Sequence, residues 1–358
     1  MRIALVPRPE PSRLAGALSP LVAVVATLLI GFALFTALGK DPWQAFHVYF
    51  VKPVDSRYGV GELLQKAAPL MLCAIGLAAG YRANVWNIGA EGQLTMGAIA
   101  GGGVALAFHD SASPLLLPAM VVAGAAGGMA WAAIPAFLRT RFNANEILVS
   151  LMLVYIATFT LSLLVHGPWR DPEGFNFPQS KMFEPVALLP NLLPETRLNV
   201  GFLVALAAVA AGWVFMSKSL VGFQMRVAGL APAAANYAGI SARRTIWLGM
   251  LIGGACAGIA GIGEAAGPVG QLLPSISPGY GFAAIIVAFV GRLHPLGILL
   301  ASLLMSLLYL GGESAQMGLA LPSAVTGLFQ GTLLFFLLAA DVFINYRLRI
   351  ARAPARGK

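Results

Sequence analysis

Residues 21–35 read LVAVVATLLIGFALF, a run that is apolar around the whole circumference of a helix. A helix on the surface of a water-soluble domain carries one apolar stripe and a polar face, so this run needs apolar surroundings on every side. Comparable runs recur along the chain. A membrane-spanning helix takes about 20 mostly apolar residues, because the hydrocarbon core is roughly 30 Å thick and each residue rises about 1.5 Å; 358 residues therefore accommodate around ten spans. Composition agrees, with 58% hydrophobic and 10% charged residues, against about a quarter charged in soluble domains. A β-barrel would alternate polar and apolar positions in short strands, which these runs do not. The expected fold is all-α: one polytopic membrane domain.

Apolar segments fall near residues 18–39, 62–80, 88–108, 114–138, 146–166, 198–217, 245–266, 281–291, 295–311 and 323–344. This layout predicts an N-terminal segment 1–17, a transmembrane domain 18–345 and a basic tail 346–358. The first run follows Arg2, Arg8 and Arg13, but it exceeds the apolar core of a signal peptide and lacks an A-x-A site, so it reads as an anchor. With the N-terminus in the cytoplasm, 16 of the 23 Lys and Arg residues fall inside, and 7 fall on the opposite side. That asymmetry places both termini in the cytoplasm. It also accounts for the net charge of +9 without nucleic acid, for which no basic patch interleaved with aromatics exists. Cys73 and Cys256 sit inside apolar stretches as small hydrophobes, and no metal or disulfide pattern arises.

Two segments are atypical. The eighth is short, and the third opens with polar residues before Gly97, Gly101, Gly102 and Gly103. Broken or polar helices are tolerated at membrane depth where they line a water-filled cavity or pack against protein. Small-xxx-small spacings at Gly97/Gly101, Gly124/Gly128 and Gly254/Gly258 predict close helix packing. A GxGxxA match at Gly261, Gly263 and Ala266 has no βαβ unit around it and carries no dinucleotide reading.

The polar residues concentrate in two islands, NVWNIGAEGQL at residues 84–94 and NANEILVSLMLVYI at residues 143–156. A carboxylate or amide facing lipid is costly, so such groups face a bundle interior or an aqueous cavity. Asn87, Glu91, Gln93, Trp86 and Asn145 are accordingly the candidate pathway residues. Two readings stand side by side. The first island lines a pathway or merely caps a helix near the interface; Trp86 contacts solute or belongs to the interfacial aromatic belt. For Asn145 and Glu146, helix capping and the helix dipole account for the residue types.

These stretches carry a resemblance. ANVWNIGAEGQLTMGAIAG (83–101), NEILVSLMLVYIA (145–157), GFQMRVAGLAPAAANYAGIS (222–241) and GFAAIIVAFVGRLHPLGILLASLL (281–304) are similar, in order, to the inner-membrane permease subunits of ATP-binding cassette importers for ribose, nucleosides and branched-chain amino acids. NIGAEGQ resembles the nucleoside and simple-sugar branch. Two departures stand out: Val154 replaces an expected asparagine, and Leu293-His294 replace a frequent pair of asparagines. The resemblance implies a non-enzymatic subunit without cofactors in a bacterial inner membrane. It implies three kinds of partner: separate ATP-binding subunits, a second permease, and an extracytoplasmic substrate-binding protein. It implies nucleosides as solute, with a monosaccharide such as ribose as the alternative. No G-x-x-x-x-G-K-[ST] loop is present; Gly39-Lys40 has Leu34 in place of the first glycine, and Asp41 follows.

An ion-coupled carrier and a membrane enzyme are the rival readings. An ion-coupled carrier uses chains of intramembrane ionisable groups, and here Glu91 and Glu264 are the main deep ones. A membrane enzyme needs convergent acid, base or metal groups, and His47, His109, His166 and His294 are scattered. Two loops carry further expectations. The external loop 167–197, with Pro172, Pro178, Pro185 and Pro190, predicts a structured cover. The cytoplasmic loop 218–244 contains APAAANYAG, where Pro232 starts a short helix, Ala234 and Ala235 favour it and Gly239 stops it. Flanked by Arg226 before it and Arg243 and Arg244 after it, this helix is the site that the resemblance assigns to ATPase coupling. An interfacial helix resting on anionic headgroups is its alternative.

Overall fold

The structure, a computed structural model, describes residues 2–8 and 13–351. In chain order it comprises β1 (Arg2–Pro7), α1 (Arg13–Ala37), α2 (Pro42–Phe46), α3 (Arg57–Arg82), α4 (Ala90–Ala107), α5 (Leu116–Phe142), α6 (Glu146–His166), α7 (Gly201–Lys218), α8 (Leu220–Leu230), α9 (Pro232–Tyr237), α10 (Ala242–Glu264), α11 (Tyr280–Val290), α12 (Pro295–Leu319), α13 (Ala324–Asn345) and β2 (Tyr346–Ala351). The chain divides into two units, Met1–Lys52 with Leu308–Lys358, and Pro53–Leu307.

Among the described residues, eight helices are long and apolar enough to cross a membrane. The other two of the ten expected segments are α4, which opens on polar residues, and α11, whose 11 residues are too few to cross roughly 30 Å of hydrocarbon as a helix. They are the same two segments whose sequences are atypical. Helix α12 runs to Leu319, beyond the expected end at 311. Gly311 and Gly312 lie inside it, where a methyl group would overlap Tyr49 and Thr326 respectively.

In the first unit α1 packs along α13, and Phe35, Phe46, Tyr49 and Phe329 form an aromatic cluster. The Tyr49 hydroxyl donates to the Leu308 carbonyl at 2.9 Å. β1 and β2 pair antiparallel, with Arg2 opposite Ala351 and Pro7 opposite Tyr346. This ribbon is an addition to the all-α expectation. In β2, Arg347 and Arg349 alternate with Leu348 and Ile350, the period-two signature of a strand. Residues 352–358 of the expected tail, with Arg352, Arg356 and Lys358, lie outside the described residues.

In the second unit α3 is the central helix, with 83% of its most apolar window buried, whereas only 17% of the α7 window is buried. Helices α4, α5 and α10 meet at a junction of small residues. A methyl group at Gly97 would overlap Gly258, one at Gly128 would overlap Gly254, and one at Gly258 would overlap Gly124. All three small-residue pairs of the sequence therefore serve one junction.

Residues 167–200, which include the expected cover 167–197, are folded without a long helix of their own. Arg170 and Ser180 make one bridge, and Asn191 and Asn199 another. The cover is stitched to the segment after α10: the amides of Ser180, Phe183 and Leu189 donate to the carbonyls of Leu272, Gly270 and Ala266. Arg197 donates to both carboxylate oxygens of Glu62 on α3, at 2.8 and 2.7 Å. These bonds hold the pKa of the guanidinium above its ordinary value.

The junction yields a stability prediction. Gly258→Val inserts branched carbons between α10 and the α4 and α5 backbones, and lowers stability by roughly 1–3 kcal/mol. Gly263→Ala adds a methyl group to open space and leaves stability within about 0.5 kcal/mol. Thermal melting in detergent, followed by size-exclusion chromatography, measures both.

Candidate functional site

Two helices begin late. After α3 the chain is non-helical over residues 83–89, and after the π-turn Ala265–Val269 it is non-helical over residues 270–279. Such irregular backbone must find hydrogen bonds within the protein. The Tyr81 hydroxyl donates to the Asn87 carbonyl at 2.9 Å, and the Ile88 amide donates to the Ser150 hydroxyl at 3.2 Å.

The starts of α4 and α11 converge on one carboxylate. Glu91, in the first turn of α4 and only 8% exposed, accepts the Gly281 amide of α11 at 2.7 Å. Ser277 bonds it as well. The Ser277 oxygen accepts the amides of Gly279 and Tyr280, at 3.1 and 2.9 Å, which leaves its hydroxyl hydrogen for the carboxylate. The carboxyl group thus lies at the starts of two helices, where their positive dipole ends favour negative charge. The approach is so close that a methyl group at Gly281 would overlap the Glu91 backbone.

Glu91 opens onto a cavity of about 230 Å³, lined also by Thr95, Val154, Tyr155, Thr158, Ser275, Ser277 and Phe282. The hydroxyls here donate inward: Thr95 to the Glu91 carbonyl at 2.9 Å, Thr158 to the Val154 carbonyl at 3.0 Å, Ser275 to the Ser277 carbonyl at 3.3 Å. Their oxygens are left as acceptors. The cavity therefore suits a solute rich in O–H and N–H donors and disfavours an anion. The exposed rings of Tyr155 and Phe282 supply apolar surface beside this polar strip.

The other expected pathway residues are placed differently. Asn87 and Gln93 are buried and satisfy each other: Asn87 Nδ2 donates to Gln93 Oε1 at 2.9 Å, and Gln93 Nε2 to Asn87 Oδ1 at 3.1 Å. They brace the start of α4. Trp86 donates to Asn84 Oδ1, stacks with Phe289 and meets Tyr81 at a tilt. Asn145 caps α6, accepting the amides of Ile147 and Leu148, and Glu146 pairs with Arg139. Thr95, Tyr155, Thr158, Ser275, Ser277 and Phe282 were not singled out. One signal for them exists, since Thr95 stands four residues after Glu91, on the same helical face.

The coupling candidates are also placed. Pro232 opens α9, and Gly239 follows it with φ of 74°, as the sequence predicts. Ala234 is exposed, whereas Ala235 is buried and packs inward. Arg226 lies on α8, a second helix that the sequence reading did not anticipate.

Residues 59–338 match the family described as branched-chain amino acid transport system / permease component. This chain belongs to that family. It is similar to the glucose ABC transporter permease protein TsgB13 of Haloferax volcanii, at 39% identity over 93% of this chain and 90% of that protein. It is also similar to the guanosine ABC transporter permease protein NupP of Bacillus subtilis, at 31% identity over 92% and 94%. The nucleoside ABC transporter permease protein NupB of Lactococcus lactis is 30% identical over 94% of each chain. The protein is thus a multi-pass membrane permease, a transport component rather than an enzyme.

Two substitutions at Glu91 separate charge from packing. Glu91→Gln keeps an acceptor for the Gly281 amide, so the protein folds with near-wild-type melting while transport falls roughly tenfold, equivalent to about 1.4 kcal/mol. Glu91→Leu strands that buried amide, costs about 1–3 kcal/mol of stability and abolishes transport. Paired melting and uptake measurements read both effects, and unchanged uptake in both variants would refute a pathway role for Glu91.

Proposed function

We propose that this permease carries nucleosides inward through an ATP-binding cassette importer, and that the Glu91 cavity is part of the solute pathway. The observation that carries this reading is the cavity's surplus of acceptors beside two exposed rings. A nucleoside presents ribose hydroxyls and base N–H groups as donors and a flat base for stacking. The names of two relatives, the guanosine and nucleoside permeases, support the same solute class. A monosaccharide is the second reading, favoured by the relative named for glucose at 39% identity. Competition decides between them: in proteoliposomes holding the full importer, unlabelled guanosine or uridine suppresses labelled nucleoside uptake and glucose does not. Competition by glucose alone would establish the second reading.

ATP is handled by separate subunits, a second permease completes the pathway, and an extracytoplasmic binding protein delivers the solute at a bacterial inner membrane. Pro232, Ala234 and Gly239 of the α9 region form the contact to the ATPase, Ala235 holds α9 against its own chain, and Arg226, expected at this contact, has its Nε buried on α8 behind it. The exposed Ala234 and the fully exposed Tyr237 support that orientation. Ala234→Glu uncouples ATP hydrolysis from uptake while insertion stays normal; unchanged uptake in a variant that co-purifies with the ATPase at wild-type yield sinks the coupling role. The cover 167–197 is the docking surface for the binding protein, where Phe175, Phe177 and Met182 stand exposed. Phe175→Asp with Phe177→Asp reduces binding-protein-dependent uptake, and wild-type uptake in a folded double variant refutes the docking role.

A further inference from the structure

The second unit carries a second space that shares no lining residue with the Glu91 cavity. A groove of about 320 Å³ runs between α3, α7 and α10, walled by Ile75, Ala79, Ala208, Ala211, Phe215 and Ile252 among others, all apolar. At one end it closes on a buried cluster that includes Ala79, Ala83, Met216 and Met225 of α8, with Phe215 packed against it.

Just past that end stand two arginines. Arg82 lies one turn beyond Ala79 on α3, and Arg226 follows Met225 on α8. Helix α8 meets the last turn of α3 closely enough that a methyl group at Gly229 would overlap the Arg82 carbonyl, which sets the two side chains near each other. Their charges repel. Among the described residues neither is paired with a carboxylate, and Arg226 Nε is buried with no hydrogen-bond partner. Lys218, exposed one turn beyond Phe215, adds a third positive charge. Partly buried like charges call for a counter-anion, and the adjoining groove in a membrane protein calls for hydrocarbon. A basic pocket between transmembrane helices meets both demands with one molecule.

We propose that this groove binds a phospholipid with an anionic headgroup, one acyl chain lying along Ala79, Ala208 and Ala211 and the headgroup phosphate bridging Arg82 and Arg226. The site is separate from the solute pathway and does not depend on which solute is carried. Vesicles of phosphatidylglycerol or phosphatidylcholine and free inorganic phosphate are the probes, read by native mass spectrometry and thermal melting of the full-length chain in detergent. Wild-type protein retains phosphatidylglycerol through purification and melts higher with it than with phosphatidylcholine. The double variant Arg82→Gln with Arg226→Gln retains roughly thirtyfold less, the scale of losing two basic contacts to an anionic headgroup. Ala208→Phe, which fills the groove, lowers retention with both arginines intact; should it fail to fold, Ala211→Phe on the exposed wall poses the same block. Equal retention in the folded arginine and groove variants overturns the proposal. So does protection by inorganic phosphate equal to that by phosphatidylglycerol, together with indifference to Ala208→Phe, because that pattern describes an anion site without a lipid chain.

Discussion

In hydrocarbon, two apolar helices gain nothing from hiding their side chains in each other, so their association rests on close backbone contact. The junction of Gly97, Gly124, Gly128, Gly254 and Gly258 supplies that contact for α4, α5 and α10. With those three helices fixed, α4 is enclosed by protein along most of its length and is relieved of facing lipid. Its polar first turn then becomes affordable, and the rest of the site follows from it.

Because α4 is enclosed, it can start late, after seven non-helical residues. Because the segment after α10 is pinned by the cover through Ser180, Phe183 and Leu189, α11 can start late as well. Two helix starts expose unsatisfied amides and positive dipole ends, and Glu91, in the first turn of α4, accepts the Gly281 amide at the start of α11. The carboxylate is a structural clamp between α4 and α11 and, among the described residues, the one charged group on the cavity wall. A solute or conformational change that loosens the Gly281 contact therefore acts directly on how α11 sits against α4. The acceptor-rich wall around it follows from local geometry: helical threonines return their hydrogens to carbonyls one turn back, which leaves oxygen lone pairs facing the cavity.

The long helices were legible in the sequence because span length and all-round apolarity are imposed by the bilayer itself. So was the oddness of the third and eighth segments, and so was α9, where Pro232 and Gly239 act through their own backbone restrictions. Capping by Asn145 was legible from its place at the start of an apolar run, but the roles of the other two amides were not. Asn87 and Gln93 have pathway chemistry in their side chains, yet they satisfy each other. Composition states what a side chain can bond to, and only the fold states what stands within 3 Å of it.

The sequence by itself therefore determined that this chain is a helical membrane permease, since hydrophobic length and the family's residue strings do not depend on contacts. Tertiary structure alone decided that Glu91, rather than its polar neighbours, meets the cavity, and that Thr95, Thr158 and Ser275 join it from three separate segments. It also decided that Arg82 and Arg226, 144 positions apart in the sequence, share one corner. The physical reason is the same in each case: hydrogen bonds and ion pairs act over about 3–4 Å, and which groups come that near is set by helix packing.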